Sequence, residues 1–222
     1  MCKKQTRARR EEDKQQRQDD ILAAALRLFD QRPYGAIRMD DIAREASLAK
    51  GTLYLYFASK EDVFLALQMQ EITDWMQEAT ARFAAFEGVM EVERFAAIYA
   101  ETIVERPRLC KLLSLLHVVL EQNASATSIA CFKHDLKQKF ITVGPALSMR
   151  LGLPAADGPR LLLQLYALLI GLWQVAEPAP VVRQVLEADA GLAMFRLDFA
   201  QEFQIAVAAL LRGWPRAGKA SA

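Results

Sequence analysis

Lys50, Gly51, Thr52, Tyr54, Tyr56 and Lys60 crowd into the stretch Lys50-Gly51-Thr52-Leu53-Tyr54-Leu55-Tyr56-Phe57-Ala58-Ser59-Lys60. Ammonium, hydroxyl and phenol groups are the donors that hold phosphate oxygens and reach base edges. A glycine among them lets the backbone come close to a phosphate. Lys60 falls in the first turn of the helix that Ser59 opens, where backbone amides attract anions. Arg38 and Met39, at the start of the preceding short helix, extend the same surface, with Arg38 adding a guanidinium for phosphate. The ordinary alternatives are solvated lysines at 50 and 60 and packed rings at the tyrosines. Phe57 is read as core, as its type favours.

Other reactive residues are sparse. His117 and His134, with Cys110 and Cys131, are the types that ligate zinc, but no compact ligand motif joins them. No metal and no cofactor is expected. His117 and Glu121 are four apart in an otherwise apolar helix, placed either to orient a ligand or to satisfy each other. Nucleophile triads, Gly-rich phosphate loops and metalloprotease helices are missing, so an enzyme is not expected. Trp75, Met76, Phe83, Tyr99, Tyr166 and Trp173 fill a core or line a pocket; sequence leaves both open. Only Glu101, His117, Glu121 and Gln174 stand among them as polar groups, which suits a hydrophobic ligand better than a sugar or phosphate.

Helices must position all of these, because apolar residues recur at helical spacing almost everywhere. Residues 1–14 are a basic, flexible arm in which Lys3, Lys4, Arg7, Arg9 and Arg10 either form a solvated tail or attract phosphate without reading sequence. A first helix spans about 14–31, with Ile21, Leu22, Ala25, Leu28 and Phe29 on one stripe. Two short helices follow, about 39–46 and 49–54, joined by a tight turn at Ser47-Leu48. Ser59 caps a long helix reaching about Phe86, with Gly88 ending it. Further helices cover about 91–105, 107–123 and 127–143, the last broken before Gly144-Pro145. Gly152 to Gly158 is a linker. Asp157 caps a helix that runs from Pro159 to about Ala176, and a final helix or pair fills 181–213.

The 222 residues are 53% hydrophobic and 25% charged. That is a globular composition. Net charge is only +1, yet residues 1–60 hold 13 Lys/Arg against 9 Asp/Glu. The positive surface therefore lies in the first quarter. Three cysteines without motif spacing suit a reducing cytoplasm. The N-terminus has no apolar segment of the secretory kind. The longest apolar run, Leu161 to Trp173, is short of the roughly 20 residues a bilayer needs, so no membrane partner is expected.

Three ordered segments carry a family resemblance: Ile21-Leu22-x-Ala24-Ala25-x-x-Leu28-Phe29, Met39-x-Asp41-Ile42-Ala43-x-x-Ala46, and Lys50-Gly51-Thr52-Leu53-Tyr54-x-Tyr56-Phe57-x-Ser59-Lys60-Glu61. Together they resemble the DNA-binding domain of the tetracycline-repressor (TetR) family. The departures are Ser47 where a glycine is usual, Ala49 before the Lys-Gly pair, and Arg38 at a usual Ser/Thr cap. The resemblance implies an all-α fold of about nine helices. Residues 15–75 would form the helix-turn-helix domain, with its motif at about 38–57, and 76–222 a ligand-binding and dimerisation domain. It implies a cytoplasmic repressor that binds double-stranded DNA at a palindromic operator, works as a homodimer, and is released by a small hydrophobic ligand. The alternatives are a helical carrier of hydrophobic molecules without a DNA role, or a ligand-independent regulator or activator. The helix 159–176 is apolar nearly all round, and aromatic residues recur in the last helix. Leu162, Leu165, Leu169, Phe195, Phe199 and Phe203 are therefore the expected dimer contacts.

Overall fold

The computed structural model describes residues 2–215, and side chains from residue 12 onward. Eleven α-helices with short 3-10 and π segments make up the described residues, and no strand occurs among them. The helices are α1 (Cys2–Gln31), α2 (Met39–Glu45), α3 (Lys50–Tyr54), α4 (Lys60–Ala84), α5 (Val92–Val104), α6 (Pro107–Leu115), α7 (Glu121–Asn123), α8 (Ala126–Arg150), α9 (Gly158–Ala176), α10 (Pro180–Ala188) and α11 (Phe199–Arg212). The count exceeds the expected nine because the 107–123 helix splits around a π turn at 116–120 and the C-terminal region contains two helices. The chain divides into two compact units, residues 1–70 with 116–132, and residues 71–115 with 133–222.

In the first unit α1 packs on α2 and α2 on α3. Ile21, Ala24, Ala25, Ile42, Leu53 and Phe64 are fully buried, so the core comes from the apolar stripe legible in the sequence. Rings of Phe29 and Tyr34 meet Phe64 edge-on, at 5.5 and 4.9 Å between centroids, a geometry that aromatic pairs prefer. One expectation fails here. α1 begins at Cys2, so helix occupies most of the segment read as an arm. The side chains of Lys3, Lys4, Arg7, Arg9 and Arg10 lie outside the described residues.

In the second unit α11 packs on α5 and α9, and α9 on α6. Phe83, Phe95, Tyr99, Phe203 and Phe199 form a run of neighbouring rings between 4.6 and 6.1 Å apart. α8 does not break at Gly144-Pro145 but continues through it. The compensation is tertiary: Gly144 and Gly158 touch backbone to backbone, and a Cβ on Gly144 would lie 2.5 Å from the Gly158 carbonyl carbon. Phe140, Leu147 and Leu151, buried on either side, hold the helix against the bond that proline removes. Asp157 caps nothing with its side chain, which accepts a hydrogen bond from Trp214 Nε1 at 3.2 Å instead.

Burial also corrects the expected dimer contacts. Leu162, Leu165, Leu169 and Phe203 are at most 3% exposed within a single chain, so their surface is already spent. Phe199 is half-buried against Trp173 and Phe203. Of the six, only Phe195 is substantially exposed. An apolar helix has two apolar faces, and periodicity cannot say which of them turns inward. The outward stripe of α9 is Leu163, Ala167, Gly171 and Val175. A segment including it, 155–176, is long and apolar enough to cross a membrane, which removes the length argument made from the sequence. The four leucines buried on its other face tie it into a protein core.

Candidate nucleic-acid interface

The reading head is built by local rules. α2 starts at Arg38, whose backbone N–H donates to the Asp41 carboxylate at 3.0 Å, half of a capping box. That bond, with Arg32 and Arg44 beside it, holds the Asp41 carboxyl below the usual range. Asp41 so supplies the returning half of the box, while the Arg38 side chain caps no amide of α2. The turn to α3 passes through Ser47 at φ 56°, the left-handed region in which serine is strained. α4 then begins with the Asp62 N–H donating to Ser59 Oγ at 3.1 Å, the N-cap bond that the serine leads one to expect.

The turn throws one face of α3 outward. Leu53 is fully buried and anchors the helix. Lys50, Gly51 and Tyr54 are exposed, Thr52 and Tyr56 half-buried, and Phe57 is in the core. Arg38 is exposed and Met39 half-buried at the head of α2. Leu55, 82% exposed, joins this face. Sequence reasoning missed it because an apolar residue beside two tyrosines looks like core. Such a side chain is suited to a thymine methyl in a major groove. Lys50 Nζ pairs with Asp40 at 2.7 Å, and this partner raises its ammonium pKa.

Lys60 makes contacts that its sequence spacing does not announce. Its Nζ donates to the backbone carbonyls of Tyr34 at 3.1 Å and Ile37 at 3.0 Å, and lies 3.9 Å from the Tyr34 ring centre. The Tyr34 hydroxyl donates to Glu61 at 2.6 Å, and burial with that carboxylate drives the phenol far above its ordinary range. Partial burial lowers the Lys60 ammonium pKa. Two of its three donors are therefore spent pinning the 34–37 turn to the start of α4.

In the second unit a cavity of about 20 Å³ is lined by Ile72, Trp75, Met76, Tyr99, Leu113, Leu136, Phe140, Leu162, Tyr166 and Leu169. Four of the expected ligand residues, Trp75, Met76, Tyr99 and Tyr166, do converge there. The other four do not. Phe83 stacks on Phe95, Trp173 packs on Phe199, and His117 pairs with Glu121 at 2.9 Å in the first unit. Glu101 and Gln174 are exposed. The polar network by the cavity is one the sequence hid: Trp75 Nε1 donates to Thr102 Oγ1 at 3.1 Å, and Thr102 donates to the Tyr99 carbonyl at 2.8 Å. Burial pushes the Cys110 thiol up to about 12, far from a metal-binding thiolate. Among the described residues no three His, Cys, Asp or Glu side chains are grouped as a metal would require.

Comparison with known proteins now decides the family. The description "Bacterial regulatory proteins, tetR family" matches residues 21–67, and "Tetracyclin repressor-like, C-terminal domain" matches residues 69–217, more than half of the chain. The chain belongs to the TetR family.

Within the reading head it is 47% identical over 47 residues to the transcriptional regulator EthR of Mycobacterium tuberculosis, covering 21% of this chain. The chain spans only 22% of that relative's length, and 24% of the EthR of Mycolicibacterium smegmatis. Among solved structures it resembles the fatty acid degradation regulator FadR of Bacillus halodurans, with TM-score 0.53, 18% identity, and coverage of 87% of this chain and 93% of that one. FadR of Bacillus subtilis, solved with stearoyl-CoA, gives TM-score 0.50 and 16% identity over 87% of this chain and 97% of that one. Identities this low establish the shared fold alone. TetR-family regulators bind DNA operators and work as dimers.

Proposed function

We propose that this chain is a cytoplasmic, ligand-responsive transcriptional repressor that holds a palindromic operator as a homodimer and lets go when a hydrophobic molecule enters its second unit. The observation that carries the proposal is the outward face of α3. Gly51 there has an ordinary helical backbone, and a Cβ on it would meet no atom within 4 Å. The fold does not need glycine at this position, and a helical glycine costs roughly 1 kcal/mol relative to alanine. Close approach to a DNA backbone does need it. Lys50, Thr52, Tyr54 and Tyr56 then supply donors, Leu55 an apolar contact, and Arg38 and Met39 the flank. Lys60 supports this face from behind, through its bonds to the Tyr34 and Ile37 carbonyls rather than through a phosphate.

The ligand reading rests on the cavity. No charged side chain lines it, so its occupant has an apolar body. Its volume of about 20 Å³ is far below the several hundred that a drug-sized molecule fills. Entry therefore requires side chains to move, and this gives a ligand different affinities for two conformations. α4 carries Lys60 at its start and Ile72, Trp75 and Met76 on the cavity wall, so one helix serves both the head and the cavity. The outward stripe of α9, with Ile205 of α11 at 53% exposed, is the proposed dimer surface, two helices that would pair with their symmetry mates. The stearoyl-CoA in Bacillus subtilis FadR makes fatty acyl compounds the first probes. The test is a titration of such compounds, with aromatic acids and hydrophobic drugs alongside, against tryptophan emission and operator affinity. Quenching and loss of affinity should occur over the same concentrations. If no compound produces either effect, the ligand claim fails and the DNA claim stands.

A further inference from the structure

Residues 180–195 leave the body between α9 and α11 and bury nothing of their own. Neither α10 nor the 3-10 segment Ala190–Phe195 contains a buried residue. Yet the excursion is not polar: Val181, Val182, Val185, Met194 and Phe195 are between 44% and 76% exposed. α10 has only nine residues. Even good helix formers need a length of roughly 12–15 residues to stand alone in water. Its chief brace is the equally exposed segment that follows it. An apolar helix without a floor in its own chain is accounted for by a surface from outside it.

We infer that this excursion packs on a second copy of the chain, as a clasp that extends the dimer proposed above; the inference rests on that dimer reading. Three features select this occupant. The exposed charges around the patch are Arg183 and Arg196 with Glu177, Glu187 and Asp189, both signs together. A nucleic acid or an anionic lipid surface calls for a cationic excess, whereas a mixed rim complements itself under a two-fold axis. Next, Pro178, Leu186 and Phe195, with the charged Arg183, Glu187 and Arg196, border a groove of about 170 Å³. That is small for a ligand site, where about 300 Å³ is the lower end, but it has room for one unbranched side chain such as methionine, with charged groups of both signs at its edge. Met194, 76% exposed, is the knob that a partner copy would offer. Finally, the excursion lies in the chain between α9 and α11, the two helices that carry the proposed dimer surface.

The experiment is sedimentation equilibrium on the full chain and on Val185→Glu, Met194→Glu and Leu163→Glu. Val185 and Met194 already face solvent in the single chain, so their variants should keep wild-type far-UV circular dichroism. Each should raise the dimer dissociation constant by about tenfold or more, the effect of removing one well-packed interface side chain. Hydrogen exchange gives a second readout. Amides of residues 181–188 should exchange more slowly above the dimer dissociation constant than below it. If both clasp variants dimerise within twofold of wild type while Leu163→Glu is monomeric, the clasp is wrong and the dimer reading survives. A wild-type chain that stays monomeric at micromolar concentration overturns both.

Discussion

Replacing Lys60 with methionine keeps most of the side chain's length and removes its charge. The variant loses two ammonium hydrogen bonds, to Tyr34 O and Ile37 O, and the contact with the Tyr34 ring. Hydrogen bonds to a charged group contribute about 1.5–3 kcal/mol each when buried, and an exposed cation–π contact about 0.5–1 kcal/mol. Lys60 is half-buried, water can replace part of what is lost, and the terms do not add, so a net loss of about 2 kcal/mol is expected. In a chain of this size that lowers Tm by roughly 4–8 °C. Operator affinity should fall because the 34–37 turn that leads into α2 is no longer pinned. The dependence on salt should hardly change, because only the removal of a phosphate-binding cation makes the slope of log K against log salt shallower, by about 0.9 each. Thermal melts and fluorescence anisotropy between about 50 and 200 mM salt measure both quantities. A variant that melts with wild type but has a slope shallower by about 0.9 would refute the positional role and restore Lys60 as a phosphate ligand.

Ser47→Gly should raise Tm by a few degrees without weakening operator binding. Ser47 sits in the left-handed conformation at φ 56°. That conformation costs a non-glycine residue about 1–2 kcal/mol, offset in part by glycine's extra freedom when unfolded. A lower Tm would show that the serine side chain contributes more than its strain costs. Leu163→Arg and Leu169→Arg should separate the two faces of α9: the first yields folded monomers in a sedimentation experiment, the second an unfolded or aggregated body. Identical behaviour of the two would contradict the assignment of inner and outer stripes.

The sequence revealed most where interactions are local. The α1 stripe, the Ser59 cap, the tight turn at Ser47 and the breaker at Gly88 all act within a few residues, and all are where their spacing placed them. Long-range contacts were hidden. Nothing near Pro145 indicates that Gly144 and Gly158 touch and let the helix continue. The hold of Lys60 on a turn was hidden because its two carbonyl partners lie 23 and 26 residues away. In the cavity, the aromatic residues Trp75, Tyr99 and Tyr166 were visible by type. The α8 residues Leu136 and Phe140 were not, since an aliphatic or ring position on a helix carries no sign of what it faces. The expected dimer residues Leu162, Leu165 and Leu169 are buried for a related reason: composition marked α9 as apolar but could not choose its outward face.

Specific DNA recognition through α3 is the central claim, and one measurement tests it most directly. Purified protein selects fragments from genomic DNA, and anisotropy then follows its binding to the recovered site and to random duplex, with wild type and Lys50→Ala. The expected result is a palindromic site with half-sites about one helical turn (about 34–36 Å) apart, or slightly more, bound at least about 10³-fold tighter than random DNA. Lys50→Ala should weaken that binding and narrow the preference. An affinity for the recovered site within about tenfold of random DNA at physiological salt, unchanged by Lys50→Ala, would contradict the account.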